Sequence, residues 1–283
     1  MIYITGANGF VGKNFIDYLK KKNLDFYCLK RQKKVGKKNK SSYIKFPKTN
    51  LNSKNILVHL GSSAVIKLYR KKNFSPQDVL NCFENEIDST ISLIKFYKKN
   101  NFKKLIFTST SSIYGKRKHN SPFKEADIPN PDEFYARIKL AIEMLIKKEL
   151  KNSIILRPFQ IYGKYDHKRR LIPTLVNSKK NQIIKLQDCL QVTDLIHVND
   201  VCEVIFKLCN SKINNGVYNL GSGIPISLRK IVKTLSKTKG NSIKFNNADQ
   251  KTITNYCYAD ITKLKMKIKF KTTKFPKSSN ETY

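Results

Sequence analysis

The chain opens Met1-Ile2-Tyr3-Ile4-Thr5-Gly6-Ala7-Asn8-Gly9-Phe10-Val11-Gly12. A short apolar strand runs into a turn carrying three spaced glycines. The residues after it, Phe10 to Lys21, read as a helix with Phe15, Ile16 and Leu19 on one face. Strand, glycine turn and helix in that order are the context that a dinucleotide-binding turn requires. Gly6 permits the tight turn, Gly9 lets backbone N–H groups approach a pyrophosphate, and Gly12 lets helix and strand pack closely. Asn8, Phe10 and Val11 complete the candidate cradle, and the helix start supplies unpaired donors and positive potential. The spacing is GxxGxxG rather than GxGxxG, but an ordinary strand-to-helix turn seldom needs three such glycines.

Working outward, Leu24 to Leu29 reads as a second strand, Tyr43 to Phe46 as a weak one and Ile56 to Leu60 as a clear one. Pro76 to Asn100 reads as a long helix, because Val79, Phe83, Ile87, Ile91, Ile94 and Tyr97 recur at helical spacing. A strand at Lys104 to Thr108, a helix at Asp132 to Lys151 opened by Pro131 and Asp132, and a strand at Ser153 to Leu156 follow. This alternation predicts an α/β fold, a doubly wound parallel sheet covered on both faces with right-handed crossovers. After Gly163 the rhythm changes. Helices are expected at Leu171 to Ser178, Asp200 to Cys209 and Leu228 to Leu235, with a strand at Val217 to Leu220 and a weakly patterned polar tail after Phe270. The expected division is a dinucleotide-binding domain over 1–163 and a smaller α+β substrate-binding region over 164–283. Parts of 195–222 are expected to return to the sheet.

The 283 residues are 40% hydrophobic and 27% charged, which is enough apolar material for a core. No apolar run is long enough to span a membrane, and no secretory leader precedes the first strand. Cys28, Cys82, Cys189, Cys202, Cys209 and Cys257 are scattered without a CxxC, as expected of reduced thiols in a cytoplasmic protein with no metal site. Lysine and arginine outnumber acids 56 to 20, a formal net charge of +36. Lysine is spread along the whole chain and far outnumbers arginine, so the charge reads as a compositional bias rather than a nucleic-acid surface. Its field still attracts a phosphorylated small molecule. The densest run, Lys30 to Lys40, reads as a solvated loop.

An NAD site places an acid about 20 residues beyond the glycines, to hold the ribose 2′-hydroxyl. Lys30 and Arg31 stand there instead. Two cations suit a 2′-phosphate, which favours NADP(H) and leaves NAD(H) as the alternative. Tyr135 and Lys139 are four apart, on one face of a helix. A phenol with a pKa of about 10 is a poor acid or base near neutrality, and a neighbouring ammonium lowers it. The strand before them ends Phe107-Thr108-Ser109-Thr110-Ser111-Ser112-Ile113-Tyr114-Gly115, a hydroxyl cluster at the carboxyl end of a parallel strand, where ligands bind.

With these residues in place the sequence resembles the extended short-chain dehydrogenase/reductase superfamily, the NAD(P)-dependent sugar epimerase/dehydratase family with a Rossmann fold. The likeness runs from residue 1 to about 235. Its motifs fall in order: Thr5 to Gly12, then Val58-His59-Leu60-Gly61-Ser62, then Thr108 to Gly115, then Tyr135 with Lys139. Arg157-Pro158-Phe159-Gln160-Ile161-Tyr162-Gly163, Asp194-Leu195-Ile196-His197-Val198-Asn199-Asp200 and Tyr218-Asn219-Leu220-Gly221-Ser222-Gly223 follow. The resemblance implies Thr110 as the catalytic hydroxyl with Ser111 in reserve, Tyr135 as general acid/base and Lys139 as its partner. It implies Leu60, Gly61, Ser62, Thr108, Phe159 and Ile161 along the cofactor, Tyr114 as structural or substrate-lining, and a homodimer through the two long helices. Three positions depart from the pattern: Thr193 replaces an arginine that contacts substrate phosphates, Gln160 an asparagine, and Glu86 an asparagine near the nicotinamide side. Arg169, Arg170 or Lys185 are candidates for the missing cation, and Ser111 and Gln160 for the substrate side.

The reaction favoured by this reading is NADPH-dependent reduction of the C4 ketone of a nucleotide-diphosphate 4-keto-6-deoxysugar, in surface polysaccharide precursor synthesis. Its grounds are Lys30 and Arg31, the small C-terminal part, and Ser111 following Thr110 where dehydratases carry an acid. The alternatives are a 4-epimerase with tightly kept NAD and a non-catalytic NADP-binding regulatory protein. RNA binding through the basic surface is a third class.

Overall fold

A computed structural model describes residues 1–29, 31–33, 41–43, 54–61, 75–179, 183–186, 191–237, 242–245 and 255–276. In chain order the strands of the first half are β1 (Ile2–Thr5), β2 (Phe26–Cys28), β3 (Arg31–Lys33), β4 (Ser41–Tyr43), β5 (Ile56–His59), β6 (Lys104–Thr108), β7 (Ser153–Pro158) and β8 (Gln160–Tyr162). Those of the second half are β9 (Ile183–Leu186), β10 (Gln191–His197), β11 (Gly216–Leu220), β12 (Pro225–Ser227), β13 (Ser242–Phe245) and β14 (Asn255–Cys257). The helices are α1 (Phe10–Lys21), α2 (Pro76–Lys99), α3 (Phe134–Glu149), α4 (Leu171–Val176), α5 (Val198–Asn210), α6 (Leu228–Lys237) and α7 (Thr262–Lys265), with a 3-10 turn at Ser111–Tyr114.

The main sheet has the order β11-β7-β6-β5-β1-β2, all parallel. The chain lays down β1 and β2, then returns across β1 to place β5, β6 and β7 on its other side. Strand order therefore reverses between β1 and β5, and the crevice at the carboxyl ends of those two strands is where such sheets bind ligands. Both faces are buried, as the alternation of side chains requires. Ile4, Val58, Ile106, Ile154 and Leu220 pack on one side with Phe15 and Leu19 of α1 and Val201, Ile205 and Leu208 of α5. Tyr3, Leu57, Leu105, Phe107 and Ile155 pack on the other with Leu93 and Ile94 of α2 and Ile138, Ile142 and Ile146 of α3. The doubly wound sheet read from the sequence is the fold observed, and β11 of the second half is its edge strand.

Helix α2 starts where its sequence says it should. Pro76 occupies the first helical position, and Ser75 and Asp78 cap each other reciprocally, at 3.0 and 3.2 Å. Helix α3 starts two residues later than expected and does not use Asp132. The Asn130 N–H is bonded to the Ile113 carbonyl at 2.9 Å, which pins the approach, and Glu133 becomes the cap. The basic run read as a loop contains β3, which pairs antiparallel with β4, Arg31 opposite Tyr43. Ladder pairing of that kind needs no apolar pattern. Of the weak strand expected over Tyr43 to Phe46, only Tyr43 falls within β4 and the rest lies outside the described residues.

A smaller sheet, β12-β10-β14 with β8 on β10, occupies the second half. Residues 271–276, the described part of the tail, are held by specific contacts. Thr273 donates its N–H and its hydroxyl to Asp200 at 2.7 and 2.9 Å, and Phe275 packs edge-on to Tyr162. The five described cysteines are free thiols. Among the described residues no helix is long and apolar enough to cross a membrane, and no group of side chains is arranged to hold a metal ion.

Candidate active site

The glycine turn sits at the strand-order reversal. Gly6 has φ +76, and a Cβ there would meet the backbone of Leu60 and Gly61 at 2.6 Å. A Cβ on Gly12 would stand 2.1 Å from the Gly6 carbonyl oxygen. Both are required for close backbone approach. Gly9 is different: it is exposed, and a Cβ there would meet only the Gly6 carbonyl, at 3.2 Å. The Gly9 N–H closes the turn on that carbonyl at 2.9 Å, and the first helical bond runs from Lys13 to Gly9. The N–H groups of Phe10, Val11 and Gly12 thus have no partner within the helix. No side chain caps this start and no acid stands in its first turn. An open floor of backbone donors with no competing carboxylate fits a pyrophosphate. Asn8 is exposed at the tip, and Leu60 and Gly61 run beside Gly6, the Leu60 N–H donating to the Thr5 carbonyl at 3.2 Å.

The next strand along, β6, brings the hydroxyl cluster to the same edge. Thr108 donates its hydroxyl to the His59 carbonyl at 3.2 Å. Thr110 caps the 3-10 turn: its Oγ1 accepts from the Ser112 N–H and donates to the Ser112 hydroxyl, both at 3.2 Å. Ser109 is buried, and its hydroxyl has no hydrogen-bond partner among the described residues. Ser111 bonds the Cys257 thiol, which burial pushes up to about 11.

Lys139 lies under this edge, 2% exposed. Its Nζ donates to the Thr108 carbonyl at 3.0 Å and stands 4.7 Å from the Phe107 ring centroid and 6.0 Å from that of Tyr135. Burial brings its pKa down to about 8, while the carboxylates of Glu86 and Glu143 act to keep it protonated. Tyr135 is half-buried one helical turn before it. The structure therefore brings Tyr135, Lys139 and the Thr108–Ser111 segment to one edge, beside the glycine turn.

Glu143, which the sequence reading missed, anchors this helix. Both of its oxygens accept from Arg157 of β7, at 3.1 and 2.7 Å, with the pair almost wholly buried. A single-residue change that breaks such a pair leaves an uncompensated buried charge. The available signal was a glutamate one turn beyond Lys139 and an arginine in an apolar strand. Tyr114 completes the network, accepting from Arg157 at 2.9 Å and donating to Asn219 at 2.7 Å. Burial pushes its phenol up to about 12, against the opposing effect of Arg157. Tyr114 is buried within this network.

The second-half motifs divide in the same way. Asp194 accepts from the N–H and hydroxyl of Ser222 and from the N–H groups of Gly223 and Ala259, at 2.6–3.2 Å. A Cβ on Gly221 would collide with its carboxylate, at 2.3 Å, which explains the glycine there. Burial raises its pKa while these bonds oppose the rise. Phe159 is buried with its N–H on the Leu220 carbonyl, and Gln160 and Ile161 are half-buried in β8. Arg170 is half-buried against Phe10, whereas Arg169 is exposed. Lys30 and Ser62 lie outside the described residues, as do the side chains of Arg31 and Lys185. Two surface hollows of about 340 and 280 Å³ lie at the opposite edge of the sheet, around Leu150 and Lys151.

Comparison with known proteins agrees with this fold. The chain is 27% identical over 241 residues to GDP-6-deoxy-D-talose 4-dehydrogenase of Aggregatibacter actinomycetemcomitans, covering 83% of this chain and 78% of that one. It is 26% identical over 222 residues to UDP-glucose 4-epimerase of Bacillus subtilis, covering 67% and 64%. The structure of RMD from Pseudomonas aeruginosa complexed with NADPH superposes with a TM-score of 0.74 at 18% identity, over 96% of this chain and 93% of that one, which is a likeness of fold. The model of the NAD dependent epimerase/dehydratase family matches residues 2–221, and this chain belongs to that family.

Proposed function

We propose that this protein reduces the C4 ketone of a nucleotide-activated 4-keto-6-deoxysugar with NADPH, in the supply of surface polysaccharide precursors. The family and its named relatives support the broader statement that it is an NAD(P)-dependent enzyme acting on nucleotide sugars. The observation that carries the chemistry is the buried Lys139, fixed on the Thr108 carbonyl one turn from Tyr135, at the edge where the glycine turn opens.

The residues that would hold the dinucleotide are the Gly9–Gly12 backbone at its pyrophosphate, Lys30 and Arg31 at a 2′-phosphate, and Leu60, Gly61, Ser62, Phe159 and Ile161 along its length. When bound, it supplies hydride to a carbonyl carbon or removes it from an alcohol. The protein's share is the proton. Tyr135 gives its phenolic proton to the carbonyl oxygen as that oxygen gains charge. Thr110 turns its hydroxyl from Ser112 to the same oxygen, with Ser111 and Gln160 on the substrate side. Lys139 has one N–H committed to the Thr108 carbonyl and two left for the ribose, and its charge stabilises the phenolate that remains.

Ser111 after Thr110 provides no acid for eliminating water, which argues against dehydration. The likeness to a UDP-glucose 4-epimerase supports a second reading, C4 epimerisation with retained NAD. Incubating the protein with CDP-, dTDP-, GDP- and UDP-linked 4-keto-6-deoxysugars separates them: a reductase consumes NADPH stoichiometrically and prefers it to NADH. Turnover of a nucleotide hexose with no added NADPH would establish the epimerase instead. The exposed Leu80, Phe83 and Ile91 of α2 and Met144 of α3 support a homodimer through these helices, which sedimentation tests.

A further inference from the structure

Residues 163–170 join β8 to α4, and they lie across the start of α1. Asn14 donates to the Lys164 carbonyl at 2.6 Å, and Tyr165 donates its hydroxyl to Asp17 at 3.0 Å. Lys164 Nζ stands 3.6 Å from the same Asp17 carboxylate, and Lys13 Nζ stands 5.5 Å from the Tyr165 ring centroid. The loop so fastened delivers Arg170 to the glycine turn. Its guanidinium is centred 6.0 Å from the ring of Phe10, the first residue of α1. One N–H of Arg170 is held by Asp166 at 2.9 Å, and that buried carboxylate also accepts the His167 N–H. A guanidinium has five N–H donors. Beyond the one on Asp166, those of Arg170 make no hydrogen bond among the described residues, and the side chain is 37% exposed.

We propose that Arg170 closes over a diphosphate seated on the start of α1, and that this diphosphate is the dinucleotide's own. The proposal rests on the dinucleotide reading of the glycine turn. The floor of that turn offers only neutral N–H donors, with no capping side chain and no acid. For a doubly charged pyrophosphate on that floor, the second half brings a cation with planar paired donors that match phosphate oxygens. Arg169, one residue earlier, is exposed.

The whole protein would be titrated with NADPH and, separately, with UDP, as wild type, Arg170→Gln and Arg170→Lys, at several salt concentrations. Arg170→Gln is expected to weaken NADPH on the order of tenfold and flatten its salt dependence while leaving UDP affinity unchanged; the lost bond to the buried Asp166 lowers the ligand-free melting temperature but does not distinguish the two ligands. Arg170→Lys is expected to recover part of the loss. Weakened UDP with unchanged NADPH would overturn the assignment to the dinucleotide. Unchanged affinity for both would overturn the proposal. A wild type that binds neither NADPH nor NADH would remove the dinucleotide reading itself, and the proposal with it.

Discussion

Two buried lysines stand at opposite ends of β6 and are held in different ways. Lys104 begins the strand, and its ammonium donates to the carbonyls of Leu208, Ser211 and Ile213 at 3.0, 2.8 and 2.7 Å. Those carbonyls close the C-terminal end of α5, where a cation is favoured. All three donors are satisfied and no carboxylate is involved. Lys139 lies at the other end, with one donor on the Thr108 carbonyl and two carboxylates supporting its charge. Burial alone therefore does not mark a functional lysine. The difference is saturation: Lys104 has used every donor, whereas Lys139 keeps donors at the carboxyl edge of the sheet.

The sharpest separation is kinetic. Tyr135→Phe should lower turnover roughly a thousandfold and leave NADPH affinity within a factor of about two. Retained turnover would end the role given to the phenol. Lys104→Met should do the reverse, leaving turnover per folded molecule intact while removing about 3 kcal/mol of stability in urea unfolding, because three buried carbonyls lose their donor. If Lys104→Met proved inactive but stable, the division between the two ends of β6 would be wrong.

A subtler test uses pH. Lys139 has an ordinary value of 10.5 when unfolded and about 8 when folded. Between these values the unfolded chain binds more protons, so the cost of the buried charge, present in full below pH 8, is relieved as pH rises. Turnover moves the other way, falling above about pH 8 as the ammonium loses its proton. Glu86→Gln should bring that alkaline limb to lower pH, since it removes a carboxylate that favours the charged form. Lys104, whose pKa burial also lowers, should contribute to the alkaline gain in stability without moving the activity limb. The smallest effect is reserved for Lys98, bonded to Glu149 at 2.7 Å on the solvated surface, where Lys98→Ala should leave the melting temperature unchanged within error.

The parts legible from sequence were those written locally. Helix α1 runs from Phe10 to Lys21 as its pattern indicates, because its glycine turn and apolar face are both local. The Tyr135–Lys139 pair needed only helical spacing. What escaped were interactions between residues distant in the chain. Glu143 meets Arg157 across the gap between helix and sheet, and Asp194 meets Ser222 and Ala259, none of which has a periodic signature. The strands β8, β12 and β14 are only three residues each, too short for alternation to show. Strand β10 mixes Thr193 and Asp194 among its apolar residues, because one end pairs at the small sheet and the other enters the core.

The stretch from Asn255 onward looks dispensable by motif, yet three first-half or mid-chain groups lean on it. The Tyr258 carbonyl takes the Phe123 N–H at 2.8 Å, the Asp260 carbonyl takes the Asn219 amide at 3.4 Å, and the Ala259 N–H reaches Asp194 at 3.2 Å. A shortened version ending before that strand would retain every glycine, the tyrosine and the lysine, and still lose the bonds that hold Phe123, Asn219 and Asp194. Boundaries for truncation or fusion should follow these bonds rather than the last recognisable motif.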